Sequence, residues 1–497
     1  MSASREKKMR QNTVEPVMPA EEQKKGMSTG AKRAIAVVVT VVILALVVFF
    51  FMINSGFFAK HTVAAEVKDH ELSPAMVNYF YMGAYSEMAA NVGEELMSYM
   101  IDPNIPLDEQ ECSLGEYDTW ADYFLHTGLQ SASNYYAIYD EAVANDFVLD
   151  EMYTEYIDSS IANLDLYAMY NNMSDADAWI AYQYGAGCNV ENYREYMTIV
   201  YTAEAYRESI HSSFSYEQSE LDARYEANPL DFDRVNFRVF PITADETRTA
   251  AECEELAKAM AEASKGNEAA YLEQTVLNGG ADAELYQDND EITLREGLVY
   301  NSCVADYRDW LFEEGRQNGD TTYVPFSSET EEGCYVLYFL ENVDINYALP
   351  NVRHILFQVT DTANAELMAA AKAEADAVLE TFLAGERTEE AFAELAKEHS
   401  DDNAEAGGLY ENVAPGHMVS AFENWCFDDA RQVGDAEVIE TEYGYHVMFY
   451  CGEGTETFRN HVVEEAMANA DYEKWYASVT GVPFYETKAF GMRFTNV

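Results

Sequence analysis

The hydrophobic pattern of the 497-residue chain changes period several times, and each change marks a boundary. From Ala34 to Ile53 the chain is apolar and uncharged, with Thr40 the one polar residue in twenty. As a helix this run would be about 30 Å long, the thickness of a bilayer core, and it exceeds the ~7–15 apolar residues of a cleaved signal peptide. It is read as a signal anchor that spans the membrane and is retained. Over residues 62–229 apolar side chains recur at i, i+3, i+4 and i+7, as in "SPAMVNYFYMGAYSEMAANVGEELMSYMI", which predicts a helical domain. Ser73 is its expected N-cap and Pro74 the first helical residue. After residue 230 the period shortens to that of a strand over "RVNFRVFPIT", becomes helical over an Ala/Glu-rich stretch, then alternates again. The same succession restarts at "NVRHILFQVT". The last segment, 454–497, is helical, and it is expected to pack back onto the N-terminal helical domain because a lone helix is marginal in water.

The two successions share more than a period. "DWLFEEGRQNGD" and "NWCFDDARQVGD" keep Trp, Phe, Arg, Gln, Gly and Asp at a constant spacing of 115. This implies tandem copies of one small α/β domain, at 230–345 and 349–453. Aligned without a gap, "RVNFRVFPIT" and "NVRHILFQVT" put Phe237 opposite His354, and "GCYVLYF" with "GYHVMFY" puts Tyr335 opposite His446. The expected fold class is therefore α+β and multidomain. A transmembrane helix (34–53) leads into a helical domain (62–229), two tandem α/β domains with small antiparallel sheets follow, and a returning helical segment (454–497) closes the chain.

Charge sets orientation and partners. Residues 1–33 hold eight basic and four acidic residues, a net of +4, so residues 34–497 carry −63 of the total −59. By the positive-inside rule the basic tail is cytoplasmic and the bulk of the chain lies outside a single-pass cell membrane. So strong a negative charge argues against nucleic-acid binding. A solvated acidic exterior and a cation-rich cell-wall setting both fit it. The seven cysteines form no CxxC pair and lack histidines at metal spacing, so they read as small apolar core residues. No metal or cofactor is expected.

Candidate chemistry concentrates in the second copy. His354 in "VRHILF" and His446 in "YGYHVMFY" stand in apolar strands, and "AKEHSDD" places Asp401 and Asp402 beside His399 and Ser400. One histidine on an apolar strand is ordinarily a satisfied core residue. Two on neighbouring strands of a small sheet could also form one hydrogen-bonded pair. "RHIL", "FAELAKEHSDD", the Gly407–Gly408 turn, "PGHMVSAFENWCF" and "GYHV" occur here in a fixed order, and with them the second copy resembles a parvulin-type peptidyl-prolyl isomerase domain. The whole order of segments resembles PrsA- and SurA-like extracytoplasmic foldases.

The resemblance implies roles. His354 and His446 match the paired histidines of the site, Asp402 falls where the family carries Asp or Cys, and Thr441 joins the histidine network. Met418 and Phe422 match the apolar pair that holds the proline ring. Tyr410 falls near the family's pocket leucine, because "GGLYENV" stands where Gly-Gly-Asp-Leu-Gly and an aromatic are usual. Partners are then unfolded or partly folded exported polypeptides with X-Pro bonds, with the membrane engaged through residues 34–53. Between Ile355 and Leu379 the only basic residue is Lys372, so no phosphate-specific recognition is expected. The first copy, lacking both histidines, reads as non-catalytic. Two other functions stay open, a non-catalytic holdase for secreted clients and a structural surface protein. The many Tyr and Met side chains of the helical domain serve either its own core or client contact.

Overall fold

A computed structural model of the chain describes residues 29–497 apart from 55, 247 and 329. Two compact units emerge: one ends at Ser209 and takes in Tyr476–Val497, and the other is Ile210–Trp475.

The first unit is helical. Ser73 Oγ accepts from the Met76 backbone N–H and Pro74 opens the helix Pro74–Val92, so the start is fixed by a cap and by a residue that needs no donor. That helix packs on Trp120–Ala144 through Tyr79, Phe80, Leu129 and Ala132. Gly128 sets the separation, since a Cβ there would lie 2.7 Å from the Phe80 carbonyl oxygen. Strand Ala65–Val67 pairs antiparallel with His70–Leu72 on one edge and with Tyr485–Thr487 on the other, which brings the end of the chain into this unit. Helix Thr29–Asn54 exposes its apolar side chains from Val37 to Phe51. Among the described residues no helix is long and apolar enough to cross a membrane. In this one the described side chains run only from Val37 to Met52, short of the roughly 17–25 residues of a span. The expected span and the basic tail thus fall partly or wholly outside the described residues.

The second unit begins earlier in the chain than the sequence boundary at 229. Helix Gln218–Ala227 buries Leu221 with Phe232, Ile345, Leu349 and Phe458, so residues 210–229 and 454–475 group here. The unit holds two four-stranded antiparallel sheets. The first runs Leu294–Val299, Arg234–Thr243, Glu332–Val343, Thr321–Ser327 in spatial order. The second runs Leu409–Tyr410, Ala348–Gln358, Gly444–Thr457, Ala436–Thr441.

In the second sheet the strand period of two divides the side chains of Ala348–Gln358 between two faces. Ile355 and Phe357 point to the helices Ala365–Ala384 and Glu389–His399, where they bury against Phe382, Phe392, Val447 and Phe449. Val352 lies on the other face with Met448, Phe422 and Trp425, the last two on the short helix Ser420–Cys426. His354 is on that second face.

Candidate active site

The imidazoles meet because of register. His354 pairs with Met448 and Leu356 pairs with His446, so the two histidines are diagonal neighbours on one face of the two central strands. Their rings lie 5.2 Å apart and nearly parallel, and Nδ1 of each is 2.9 Å from Nδ1 of the other. Both side chains are buried, at 2% and 4% exposure. Thr441, at the end of the neighbouring hairpin strand, brings Oγ1 to 2.8 Å from His446 Nε2 and accepts the Tyr443 backbone N–H at 3.1 Å.

A separate loop delivers Asp402. Ser400 Oγ accepts from the Leu356 N–H and donates to the Asp402 carbonyl, while the Gln358 N–H donates to the Asp401 carboxylate. The loop thereby continues the edge of Ala348–Gln358 beyond the two-residue strand Leu409–Tyr410. The turn before that strand needs glycine. Gly408 has φ +67°, its carbonyl accepts the His354 N–H, and a Cβ on it would fall 2.0 Å from the His354 carbonyl oxygen. Asp402 Oδ2 then lies 3.2 Å from His354 Nε2 and accepts the Tyr410 hydroxyl at 2.9 Å. The contact with His354 is an ion-pair distance lying off the ring's N–H axis, since Nε2 has no partner of hydrogen-bond geometry.

These contacts fix a direction. Of the groups at the pair the Asp402 carboxylate is acceptor-only, so the proton of neutral His354 sits on Nε2 beside it and His354 Nδ1 accepts the His446 Nδ1–H. His446 Nε2 then accepts the Thr441 hydroxyl, whose oxygen also accepts the Tyr443 N–H. Both rings are neutral in this arrangement. Electrostatics agree: burial above all lowers His446 to about 4, with the His354 ring adding to the effect, and burial lowers His354 against the opposing pull of Asp402.

The pair forms the floor of a groove of about 350 Å³. Tyr410, Met418, Val419, Phe422 and Leu356 give it apolar walls, with Phe422 edge-on to both imidazoles at 5.4 and 5.8 Å. Asp402, Gln358 and Asp401 line the polar side. His354, Asp402, His446, Thr441, Met418, Phe422 and Tyr410 are therefore brought together. His399 is not: it is exposed, 3.9 Å from Glu398, and lines no part of the groove. The sequence reading gave no role to His417 on the rim or to Ser400, the loop clamp. Both stood in the quoted motifs, but neither type of contact has a spacing signature.

The first sheet corrects one correspondence. Asn236 Oδ1 accepts the Gly297 N–H at 2.7 Å as Asn351 Oδ1 accepts that of Asn412 at 2.7 Å. Arg238 Nε donates to Glu268 as Arg353 Nε donates to Glu389. The Phe339 N–H donates to the Asp320 carbonyl as that of Tyr450 does to Asp435. All three relate residues of the first strand or the loop to counterparts 115 apart, not 117. Hence Val239 occupies the place of His354, and Phe237 that of Val352. The ungapped comparison erred because a slip of two residues leaves every side chain on its own face, so apolar patterning cannot detect it. Tyr335 does stand where His446 does: it pairs with Pro241 as His446 pairs with Leu356, and its ring meets Tyr307 at 5.3 Å.

The site is thus a small antiparallel sheet with flanking helices that carries neutral paired imidazoles at the floor of an apolar-walled groove of about 350 Å³. Residues 335–449 match the family described as the PPIC-type PPIase domain, so the chain carries a parvulin-type peptidyl-prolyl isomerase domain. The match starts within strand Glu332–Val343 of the first sheet, ahead of the strand that bears His354. Among solved structures the chain is similar to a 2.55 Å crystal structure of peptidylprolyl isomerase (PrsA) from Bacillus cereus. The identity is 16%, 59% of this chain and 85% of that chain are covered, and the TM-score of 0.19 is too low to establish a common overall arrangement. No curated protein matches.

Proposed function

We propose that the chain is a membrane-anchored foldase that isomerises X-Pro bonds of exported polypeptides at the outer face of the cell membrane. The observation that carries the catalytic part is the His354–His446 pair beneath the groove walled by Tyr410, Met418 and Phe422. The uncatalysed bond turns over in tens to hundreds of seconds because rotation breaks amide resonance. The apolar wall grips the proline ring. Asp402 and the imidazole network set a field that favours the twisted amide over the planar one. A thousandfold acceleration needs about 4 kcal/mol of such differential binding, and no nucleophile is involved. The anchor reading is supported by the uncharged run 34–53 and by the basic residues before it. The shared strand order and the 115-residue spacing support a tandem pair in which the 230–345 copy, with Val239 and Tyr335 in place of the histidines, is non-catalytic.

A holding role beside catalysis is favoured by the exposed Met152, Tyr156, Tyr167, Met169, Tyr170 and Tyr182 of the helical unit. A protease-coupled prolyl-peptide assay on the full chain, run beside suppression of client aggregation, tests the reading. We expect activity that falls at least ~10-fold in His446→Ala and in Asp402→Ala, a loss of ~1.4 kcal/mol or more. Full activity in both variants would sink the assignment, and aggregation suppression without isomerisation would leave the holdase alone.

A further inference from the structure

Tyr410 stands where the groove needs only an apolar wall, and its ring supplies one, 5.2 Å from the His354 ring and 6.4 Å from Phe422. A wall has no use for a hydroxyl. Yet the hydroxyl points into the polar side of the site and donates to Asp402 Oδ2 at 2.9 Å, the same oxygen that lies 3.2 Å from His354 Nε2. The contact to the imidazole is off the N–H axis, so it does not define the carboxylate's rotation. The Asp402 side chain is 43% exposed, and the Ser400 clamp holds only its backbone. Left to itself, such a carboxylate would rotate among water contacts.

We infer that Tyr410 is a positioning residue for the isomerisation, its hydroxyl fixing the Asp402 carboxylate against the imidazole pair. The inference rests on Asp402 being the charged member of the site as proposed above. A hydrogen bond from a neutral donor to an ionised acceptor is among the stronger kinds, and its directionality supplies what the His354 contact lacks. The donor is always present, because burial first and Asp402 second push the Tyr410 hydroxyl up to about 12. Tyr410 thus has two separable functions. The ring contributes to binding of the proline, and the hydroxyl contributes to the transition state through Asp402. It follows that phenylalanine at this position would keep the ring wall of the pocket and leave the carboxylate less ordered, whereas leucine would remove the ring as well.

The test is a kinetic cycle on the full chain with an X-Pro peptide: wild type, Tyr410→Phe, Tyr410→Leu, Asp402→Ala, and Tyr410→Phe combined with Asp402→Ala. We expect Tyr410→Phe to keep KM within about twofold while kcat falls about tenfold, ~1.4 kcal/mol of transition-state stabilisation. Tyr410→Leu should lose kcat similarly and raise KM as well. In the Asp402→Ala background the phenylalanine substitution should cost less than about twofold, since the group it positions is gone. Wild-type kcat in Tyr410→Phe, or an equal loss in both backgrounds, overturns the inference while leaving the isomerase reading intact. A wild-type chain without activity overturns that reading and this inference with it.

Discussion

The protonation state of His446 follows from its surroundings. It is buried, flanked by another imidazole and hydrogen-bonded by Thr441, and it is held down to about 4 against an ordinary value near 6.5. The sign of the consequence follows by linkage. Between about pH 6.5 and 4 the unfolded chain binds a proton at this residue and the native chain does not, so stability drops as pH falls through that window and levels off below it. The contribution of this one group is on the order of 3 kcal/mol. Denaturant midpoints taken at pH 7 and pH 4.5 should therefore converge in His446→Gln relative to wild type. An unchanged difference between the two proteins would show that the ring is not held neutral. Seven residues that the resemblance to parvulin domains singled out lie together at this site, whereas by chemical type alone His354, His446 and Asp402 stood out. The Tyr410–Asp402 hydrogen bond had no such signal, since it depends on how a two-residue strand aims a hydroxyl across a groove.

At the scale of elements, the site is a product of register. Diagonal placement of His354 and His446 depends on the pairing of Ala348–Gln358 with Gly444–Thr457, and the edge of that pair is completed by the Gly408 turn and the Ser400 loop. Gly408→Ala tests this dependence. The left-handed backbone costs about 1–2 kcal/mol for a residue with Cβ, and the clash with the His354 carbonyl adds to it. We expect a loss of at least ~2 kcal/mol in unfolding free energy with reduced isomerase activity. A variant as stable as wild type would mean that the turn is not tied to the strand. Strand and helix periods were legible in the chain, as was the cap of Pro74–Val92. The equivalence of the two sheets was misread by two residues because hydrophobic alternation repeats with that same step. The polar anchors that correct it, Asn236 with Gly297 and Arg238 with Glu268, bridge residues far apart in sequence.

For the whole molecule, the two sheets share strand order and part-buried polar anchors but differ at the positions of the paired imidazoles. The second has imidazoles there, whereas the first has Val239 and Tyr335, with Tyr335 stacked on Phe326 at 4.4 Å. The paired imidazoles thus belong to one of the two sheets of this unit, and the full chain is strongly acidic, with a net charge of −59. Boundaries near 210 and 475 were not legible, because long helices such as Val190–Ser213 and Phe458–Thr480 run through them with no change in period. The central claim is that proline bonds are turned over at one sheet and not at the other. The most direct measurement compares cis–trans exchange of an X-Pro peptide by the full chain in matched variants, His446→Ala and Tyr335→Ala. The account predicts a loss of about tenfold or more in the first and a change within about twofold in the second. Equal rates in both variants, or a loss confined to Tyr335→Ala, would contradict it.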